Sequence, residues 1–269
     1  MRNKRTQCGE LEIAYREWSP VGGYNPRLGL PVVCLHGNWA TSAVWTKVAA
    51  EVPERCLFGP DMRGRGRTRG PDHGYGVDEL AHDLRDFLDA LTFERVHLVG
   101  HSLGAGVIAE FALRWPERAA SLLLLAPIWV DGMPAEHDEP ERAQLMHRDR
   151  NVFAKIYAAM APTAKRDVLW AGLVETGQEQ KLEASLRNLD ALRRWQPGER
   201  LRELTMPRRL VIGQRDTLTG GAVAARAADV LGVEPISIPD IGHSPHLEAP
   251  VWVAEVLSEL ATEAERRRR

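Results

Sequence analysis

Short apolar runs alternate with amphipathic segments along most of this 269-residue chain. An early segment, 10–17, sets Leu11, Ile13 and Tyr15 against polar neighbours, which predicts a strand with one covered face. Continuous apolar runs are typical of parallel strands that are covered on both faces. Such runs predict four further strands, at residues 32–35, 56–59, 96–99 and 122–125.

The predicted helices fall between these strands. The clearest is 77–91, where Leu80, Leu84 and Leu88 share one face with other apolar residues at helical spacing. Strands that alternate with helices form βαβ units, so we expect a mostly parallel open sheet with helices on both faces, an α/β fold. The remaining elements predicted are helices near Ala43 and at 107–115, 222–231 and 251–264, and strands at 209–212 and 235–238.

The alternation stops after Pro127. From 129 to 197 the pattern is mainly helical and more charged, with Trp170 and Trp195 along it. We therefore predict a helical cap at 129–197, inserted into a core that is formed by residues 1–128 and 198–269.

Composition narrows the classes of partner. The net charge is −2, so the chain has no overall basic field for nucleic acid or an anionic membrane. Cys8, Cys34 and Cys56 fit no zinc spacing and suggest a reducing compartment. No apolar run reaches membrane-spanning length, and residues 1–8 lack the apolar region of a signal peptide. We expect a cytoplasmic protein without metal or cofactor, whose partner is a small molecule.

The pentapeptide Gly100-His101-Ser102-Leu103-Gly104 follows a predicted strand and precedes a predicted helix. In this context a G-x-S-x-G sequence forms a tight turn that exposes its serine as a nucleophile. The turn needs small residues where two backbones approach closely. An ordinary turn with Ser102 as the helix N-cap is the alternative.

Serine needs a base to take its proton and an acid to orient that base. Asp216 and His243 each follow a predicted strand, and the chain order Ser102, Asp216, His243 is the order of the α/β-hydrolase triad. His246 is a lower-ranked alternative base, since it stands where the last helix begins. Asp131 is a lower-ranked alternative acid, since it stands several residues beyond its strand.

Acyl transfer also needs donors for an oxyanion. The backbone amide of Leu103, next after the nucleophile, is one candidate donor. The second candidate is the amide of Asn38, in the loop after strand 32–35, where Gly37 permits a sharp turn. The Asn38 side chain is a further possible donor, and a plain turn role is its alternative.

These motifs together resemble the α/β-hydrolase-fold serine hydrolases that carry a helical cap. His36-Gly37-Asn38-Trp39 resembles the oxyanion loop of that family, and residues 61–68, DMRGRGRT, resemble its D-x-R-G-x-G-x-S loop with Thr68 in place of serine. The arginines of this second loop match no phosphate-binding pattern, so we predict a structural turn with solvated side chains at Arg63, Arg65, Arg67 and Arg69.

The resemblance implies a carboxylic-ester or lactone hydrolase that works through an acyl-enzyme on Ser102. A serine at this position argues against dehalogenase or epoxide hydrolase chemistry, which uses aspartate. The substrate pocket is predicted between sheet and cap, lined by Trp39, Ile128, Trp129 and Trp170.

Two alternatives remain open. The first is a C–C bond hydrolase of the meta-cleavage-product type, which has the same triad and would use Arg215 or Trp129 to bind a substrate carboxylate. The second is a ligand-binding protein that keeps the fold and pocket without turnover.

Overall fold

A computed structural model describes residues 1–20, 23–25, 29–127, 129–137 and 140–267. The described residues form one eight-stranded sheet in the order β1-β2-β4-β3-β5-β6-β7-β8. Strands β1 and β2 are antiparallel to their neighbours, whereas β3 to β8 run parallel. The strands are β1 Arg2–Cys8, β2 Leu11–Trp18, β3 Val32–Leu35, β4 Leu57–Pro60, β5 Val96–His101, β6 Ala119–Leu125, β7 Arg208–Gly213 and β8 Ile236–Ile238.

Helices connect the parallel strands, as the alternating pattern predicts, and the open α/β sheet is confirmed. The described helices are α1 Thr46–Glu51, α2 Val77–Ala90, α3 Leu103–Arg114, α4 Pro140–Arg148, α5 Arg150–Met160, α6 Val168–Gln178, α7 Leu182–Arg194, α8 Gly221–Leu231, α9 Pro245–Glu248 and α10 Pro250–Arg266. None of them combines the length and the apolar character that a membrane crossing requires.

Strand β1 is an element that hydrophobic periodicity did not predict. Its residues are polar and mostly exposed, because it is an edge strand that pairs only with β2. Arg2 and Lys4 form ion pairs with Glu17 at distances of 2.7 and 2.6 Å. The Glu17 residue itself is 3% exposed. Charged side chains on an edge strand are a common protection against further strand pairing. They also remove the apolar alternation by which a strand is recognised.

The parallel strands are covered on both faces. Along β3, Val33 and Leu35 pack with α2 and α3, while Val32 and Cys34 pack with α1 and α10 on the opposite face. All four side chains are at most 2% exposed. This burial explains why the strand sequence is apolar at every position rather than at alternate ones.

Helices α4 to α7 are inserted between β6 and β7. We call residues 129–137 and 140–197, which contain them, the helical insertion. It contacts the loops that follow two sheet strands: the His243 amide donates to Met160 O at 2.8 Å, and Gln180 Nε2 donates to Ala40 O at 2.9 Å. The helical insertion therefore lies over the edge of the sheet where those loops meet.

Candidate active site

Ser102 occupies the sharp turn between β5 and α3. Its backbone has φ 50° and ψ −118°, outside the regions that a non-glycine residue normally adopts. A Cβ on Gly100 would lie 2.4 Å from Gly104 O, and one on Gly104 would lie 2.4 Å from Leu35 O. Both glycines are thus required by close backbone contacts. Helix α3 begins at Leu103, directly after the serine, four residues earlier than periodicity predicts.

Asp216 and His243 meet behind this turn, although 27 residues separate them in sequence. His243 Nδ1 donates to Asp216 Oδ2 at 2.9 Å. The Asp216 carboxylate also accepts hydrogen bonds from the backbone amides of Leu218 and Thr219 and from the Thr219 hydroxyl, with donor-to-oxygen distances of 2.8 to 3.0 Å. Burial alone would raise the pKa of Asp216, but His243 and these hydrogen bonds outweigh it and hold the pKa well below its usual value. The carboxylate is therefore ionised.

Ser102 and His243 line one cavity of about 110 Å³. Because Nδ1–H of His243 is donated to the carboxylate, its Nε2 is left as an acceptor. The Ser102 hydroxyl makes no hydrogen bond to another described residue. Such contacts are often long in unliganded sites and tighten when substrate binds.

Of the two alternative residues, His246 lines the same cavity as Ser102 and His243, whereas Asp131 is not among the residues that line it. His246, in the short helix α9, is 1% exposed and packs its ring against His101 and Trp45, with centroids 4.3 and 4.9 Å away. Asp131 is exposed and pairs with Arg226 at 2.8 Å. The structure therefore brings neither of them into the Asp216–His243 pair.

We call residues 36–40, which follow β3, the oxyanion loop, after the loop of that family which they resemble. A Cβ on Gly37 would lie 2.7 Å from His101 Nδ1 and 3.3 Å from Ser102 Cβ, so the loop passes directly beside the turn that holds Ser102. Trp39 has φ 60°, an unusual value for a bulky residue. Among the described residues, no acceptor is paired with the backbone amides of Asn38 or Leu103.

The Asn38 side chain, the additional donor considered in the sequence, already has partners within the protein. Its Nδ2 donates to Ser185 O at 3.3 Å. Its Oδ1 accepts from the Trp39 amide at 3.1 Å and from Arg65 Nη2. These contacts hold the side chain against helix α7 and against residues 61–69, which we call the arginine loop, and sequence alone does not reveal them.

The prediction of solvated arginines is wrong for Arg63 and Arg65, which are 7% and 1% exposed. Arg63 pairs with Asp83 at 2.7 Å and with Glu10 at 2.6 Å. Arg65 donates hydrogen bonds to the side-chain oxygens of Asn38 and Asn188. Their partners are distant in sequence, so a turn rich in glycine and arginine looks solvated when read locally.

Thr68 takes part in the structural turn of the same loop. Its hydroxyl donates to Asp61 O and accepts the Ala14 amide. A threonine therefore ties the loop to β2 at the position where the family usually has serine.

The cavity is lined mainly by apolar side chains. Trp39 and Trp129 line it, as predicted. Trp170 does not, since its ring packs on Tyr157 at 5.0 Å and under the Arg166 guanidinium at 3.9 Å. Ile128 lies outside the described residues. Sequence analysis missed several lining residues of the helical insertion, which carry no motif: Met133, His137, Arg142, Met146, Ile156, Tyr157, Met160, Leu189 and Leu192.

His101 is a further residue of the site that sequence analysis passed over, although it lies inside the pentapeptide. Its Nε2 donates to His243 O at 2.7 Å, and burial, together with the nearby His243, lowers its pKa to about 3. A neutral imidazole therefore holds the His243 backbone against the turn that contains Ser102.

A second chain of serine, histidine and acid lies at the opposite end of β5. Ser121 Oγ and His97 Nδ1 are 2.8 Å apart, and His97 Nε2 is 3.3 Å from Glu265 Oε1. Ser121 and His97 are at most 1% exposed, so no substrate reaches this hydroxyl. These side-chain contacts connect Glu265 of α10 to His97 and Ser121 of the sheet. Across the described residues, no three His, Cys, Asp or Glu side chains converge as a metal site would require.

Comparison with known proteins agrees with this architecture. Residues 32–256 match the model of the alpha/beta hydrolase family, and the chain belongs to that family. A 2-succinyl-6-hydroxy-2,4-cyclohexadiene-1-carboxylate synthase of Enterobacter sp. (strain 638) is 30% identical over 86% of this chain and 92% of its own length. A 2-hydroxy-6-oxo-2,4-heptadienoate hydrolase of Pseudomonas putida is 34% identical over 50% of this chain and 52% of that protein.

One further curated relative is matched over a smaller part of its own length. An uncharacterized Mycobacterium tuberculosis protein is 34% identical over 42% of this chain, and the matched region spans 32% of that longer protein.

Among solved structures, an esterase from Thermogutta terrifontis superposes with a TM-score of 0.80 at 21% identity, and the match covers 98% of this chain and 99% of the esterase chain. Est816, described as an N-acyl homoserine lactone degrading enzyme, superposes with a TM-score of 0.77 at 25% identity, over 95% and 99%.

Proposed function

We propose that the protein is a serine hydrolase that cleaves a carboxylic ester or lactone through an acyl-enzyme on Ser102. The observation that carries the proposal is the buried pair of Asp216 and His243 at 2.9 Å, whose histidine lines the same cavity as Ser102. The order of the three residues and the strained serine turn support the same assignment.

In the proposed reaction His243 Nε2 accepts the Ser102 proton while Oγ attacks the substrate carbonyl. Asp216 keeps Nδ1 protonated and stabilises the imidazolium that forms. The amides of Asn38 and Leu103 then donate to the tetrahedral oxyanion, since no described acceptor occupies them. His243 returns the proton to the leaving alcohol, and the same base afterwards activates a water that hydrolyses the acyl-enzyme.

The cavity favours an acyl group of small to medium size. Trp39, Tyr157 and Met146 present apolar surface, and the enclosed volume is about 110 Å³. We propose that the helical insertion acts as the cap, with boundaries near residues 129 and 197, and that its side chains select the substrate. Similarity to the lactone-degrading Est816 at 25% identity keeps lactones beside open-chain esters.

The second candidate is hydrolysis of a C–C bond in a dienoate ketone. The 34% identical heptadienoate hydrolase favours it, and Arg142 and Trp129 line the cavity where a substrate carboxylate could be held. Arg215 does not fit that role, because it lies outside the cavity lining, is 60% exposed and pairs with Asp240.

Steady-state kinetics of the purified protein and of Ser102→Ala test the proposal. The panel contains p-nitrophenyl esters of increasing chain length, γ- and δ-lactones and one dienoate ketone. Ester or lactone hydrolysis that is lost in Ser102→Ala supports the proposal, and the preferred chain length reports the pocket size. Turnover of the dienoate alone shifts the assignment to the second candidate. Saturable binding without turnover of any substrate points to a ligand-binding protein.

A further inference from the structure

Arg65 is a fully buried arginine without a carboxylate partner. It is 1% exposed, and no described carboxylate forms an ion pair with it. Burial lowers its pKa to about 9, and its Nε and Nη1 have no hydrogen-bond partner among the described residues. A buried and poorly satisfied cation is costly to retain. Its position therefore calls for a local explanation.

The two hydrogen bonds that the Arg65 side chain makes to described residues join different parts of the molecule. Its Nη2 donates to Oδ1 of Asn38, in the oxyanion loop, and to Oδ1 of Asn188, in helix α7, the latter at 2.6 Å. Asn188 is 2% exposed, and its Nδ2 donates to Tyr75 O at 2.8 Å. One guanidinium nitrogen thus bridges the helical insertion and the loop beside the nucleophile.

The helical insertion also holds the oxyanion loop at three consecutive residues. Ser185 O accepts from Asn38 Nδ2 at 3.3 Å, and Gln180 donates to Ala40 O at 2.9 Å. Between them, Trp39 O lies so close to α6 that a Cβ on Gly177 would be 2.8 Å away. Trp39 has a backbone φ of 60°, which is unfavourable for a bulky side chain. The surrounding contacts are therefore needed to hold the loop in this conformation.

The arginine loop is itself packed tightly against the helical insertion. Gly64, next to Arg65, has φ 72°, and a Cβ there would lie 2.5 Å from Cβ of Ala184 in α7. Helix α7, the arginine loop and the oxyanion loop consequently meet in one contact, and Arg65 is the charged group at its centre.

We propose that Arg65 is a positioning residue that couples seating of the helical insertion to the geometry of the oxyanion loop. With Asn188 in place, Arg65 fixes the Asn38 side chain, whose Oδ1 in turn accepts the Trp39 amide and sets the course of the loop. The backbone amide of Asn38 then points toward the substrate carbonyl. This role rests on the function proposed above, and it assigns to Arg65 no contact with substrate.

Kinetics of four single variants test the coupling in the intact protein. Arg65→Met and Asn188→Leu each remove the bridge, Arg65→Lys keeps a donor, and Arg63→Met is the matched control. Arg63 is a buried arginine of the same loop that pairs with Asp83 and Glu10 and makes no contact with Asn38. Each variant is assayed for kcat and KM on the best ester of the panel, with its melting temperature.

We expect Arg65→Met and Asn188→Leu to lower kcat by about 10- to 100-fold, with KM changed by less than about threefold, because an oxyanion contact acts in the transition state. Arg65→Lys restores part of kcat. In a double variant, Arg65→Met with Asn188→Leu, kcat falls no further than in Arg65→Met, since both changes break the Arg65–Asn188 hydrogen bond. Arg63→Met lowers the melting temperature but leaves kcat within about threefold, because it does not touch the oxyanion loop.

Hydrogen exchange of the segment 36–41 without substrate separates this proposal from the proposed function. We expect faster exchange there in Arg65→Met than in Arg63→Met, whether or not the protein turns over an ester. Unchanged exchange, together with kcat within about twofold of wild type in Arg65→Met and Asn188→Leu, would overturn the positioning role. So would kcat losses that follow melting temperature equally in Arg63→Met. If Arg65→Met does not fold, Asn188→Leu takes its place in both measurements.

Discussion

Asp216 accepts a hydrogen bond from His243 Nδ1 at 2.9 Å, and three further donors, two amides and one hydroxyl, hold the same carboxylate in place. The aspartate is therefore oriented independently of its histidine. This arrangement fixes both the tautomer of His243 and the direction of its ring.

Asp216→Asn should lower kcat by about 10³- to 10⁴-fold with little change in KM, because the neutral amide neither stabilises the imidazolium nor fixes the tautomer. Steady-state kinetics on the preferred ester measures the effect. Asp131→Asn is the control: it removes an exposed ion pair with Arg226, and kcat should stay within about twofold. Equal losses in both variants would argue against the assignment of Asp216.

Gly104→Ala should destabilise the protein by about 1 to 3 kcal/mol, because its Cβ would lie 2.4 Å from Leu35 O. Gly172→Ala in helix α6 is the matched change, since a Cβ there meets nothing within 4 Å. It should stabilise the protein by about 0.5 to 1 kcal/mol, through helix propensity. Chemical denaturation at neutral pH measures both, and an unchanged stability of Gly104→Ala would show that the turn at Ser102 tolerates a side chain there.

His246 should make stability depend on pH. Burial and the neighbouring histidines hold the pKa of His246 well below 6.5. Below pH 6.5 the unfolded chain therefore binds a proton at this residue, whereas the folded chain does not. The contribution to stability is therefore present above pH 6.5 and is lost as the pH falls below it. His246→Phe keeps the stacking on Trp45 and removes the titration.

We expect the loss of unfolding free energy between pH 7 and pH 5 to be about 2 kcal/mol smaller in His246→Phe than in wild type. Urea unfolding at the two pH values gives both differences. Parallel pH dependences in the two proteins would mean that His246 is protonated in the folded state or is not buried there.

The sheet could be predicted from sequence because parallel strands that are covered on both faces leave continuous apolar runs. Strand β3 illustrates this, since all four of its residues are buried. Strand β1 could not be found in this way, because its exposed, charged residues follow no apolar alternation. Helix α3 extends back to Leu103 because the strained serine turn places the next residue directly in the helix.

The residues of the candidate site also differ in whether a local sequence pattern predicts them. Ser102, Asp216 and His243 each stand at the end of a predicted strand, so the topology alone brings them to one edge of the sheet. Arg65 and Asn188 depend on packing between segments that are 123 residues apart, which no local pattern encodes. Trp170 lies outside the cavity lining because its ring packs against Tyr157 and Arg166, and these contacts are also not encoded in a local pattern.

The most direct test of the central claim is the site at which a fluorophosphonate probe attaches covalently. Peptide mass spectrometry after labelling should find the adduct on Ser102 in wild type, and labelling should become much slower in His243→Ala and be absent in Ser102→Ala. An adduct on another residue, or equal labelling of Ser102→Ala, would contradict the assignment of Ser102 as the activated nucleophile.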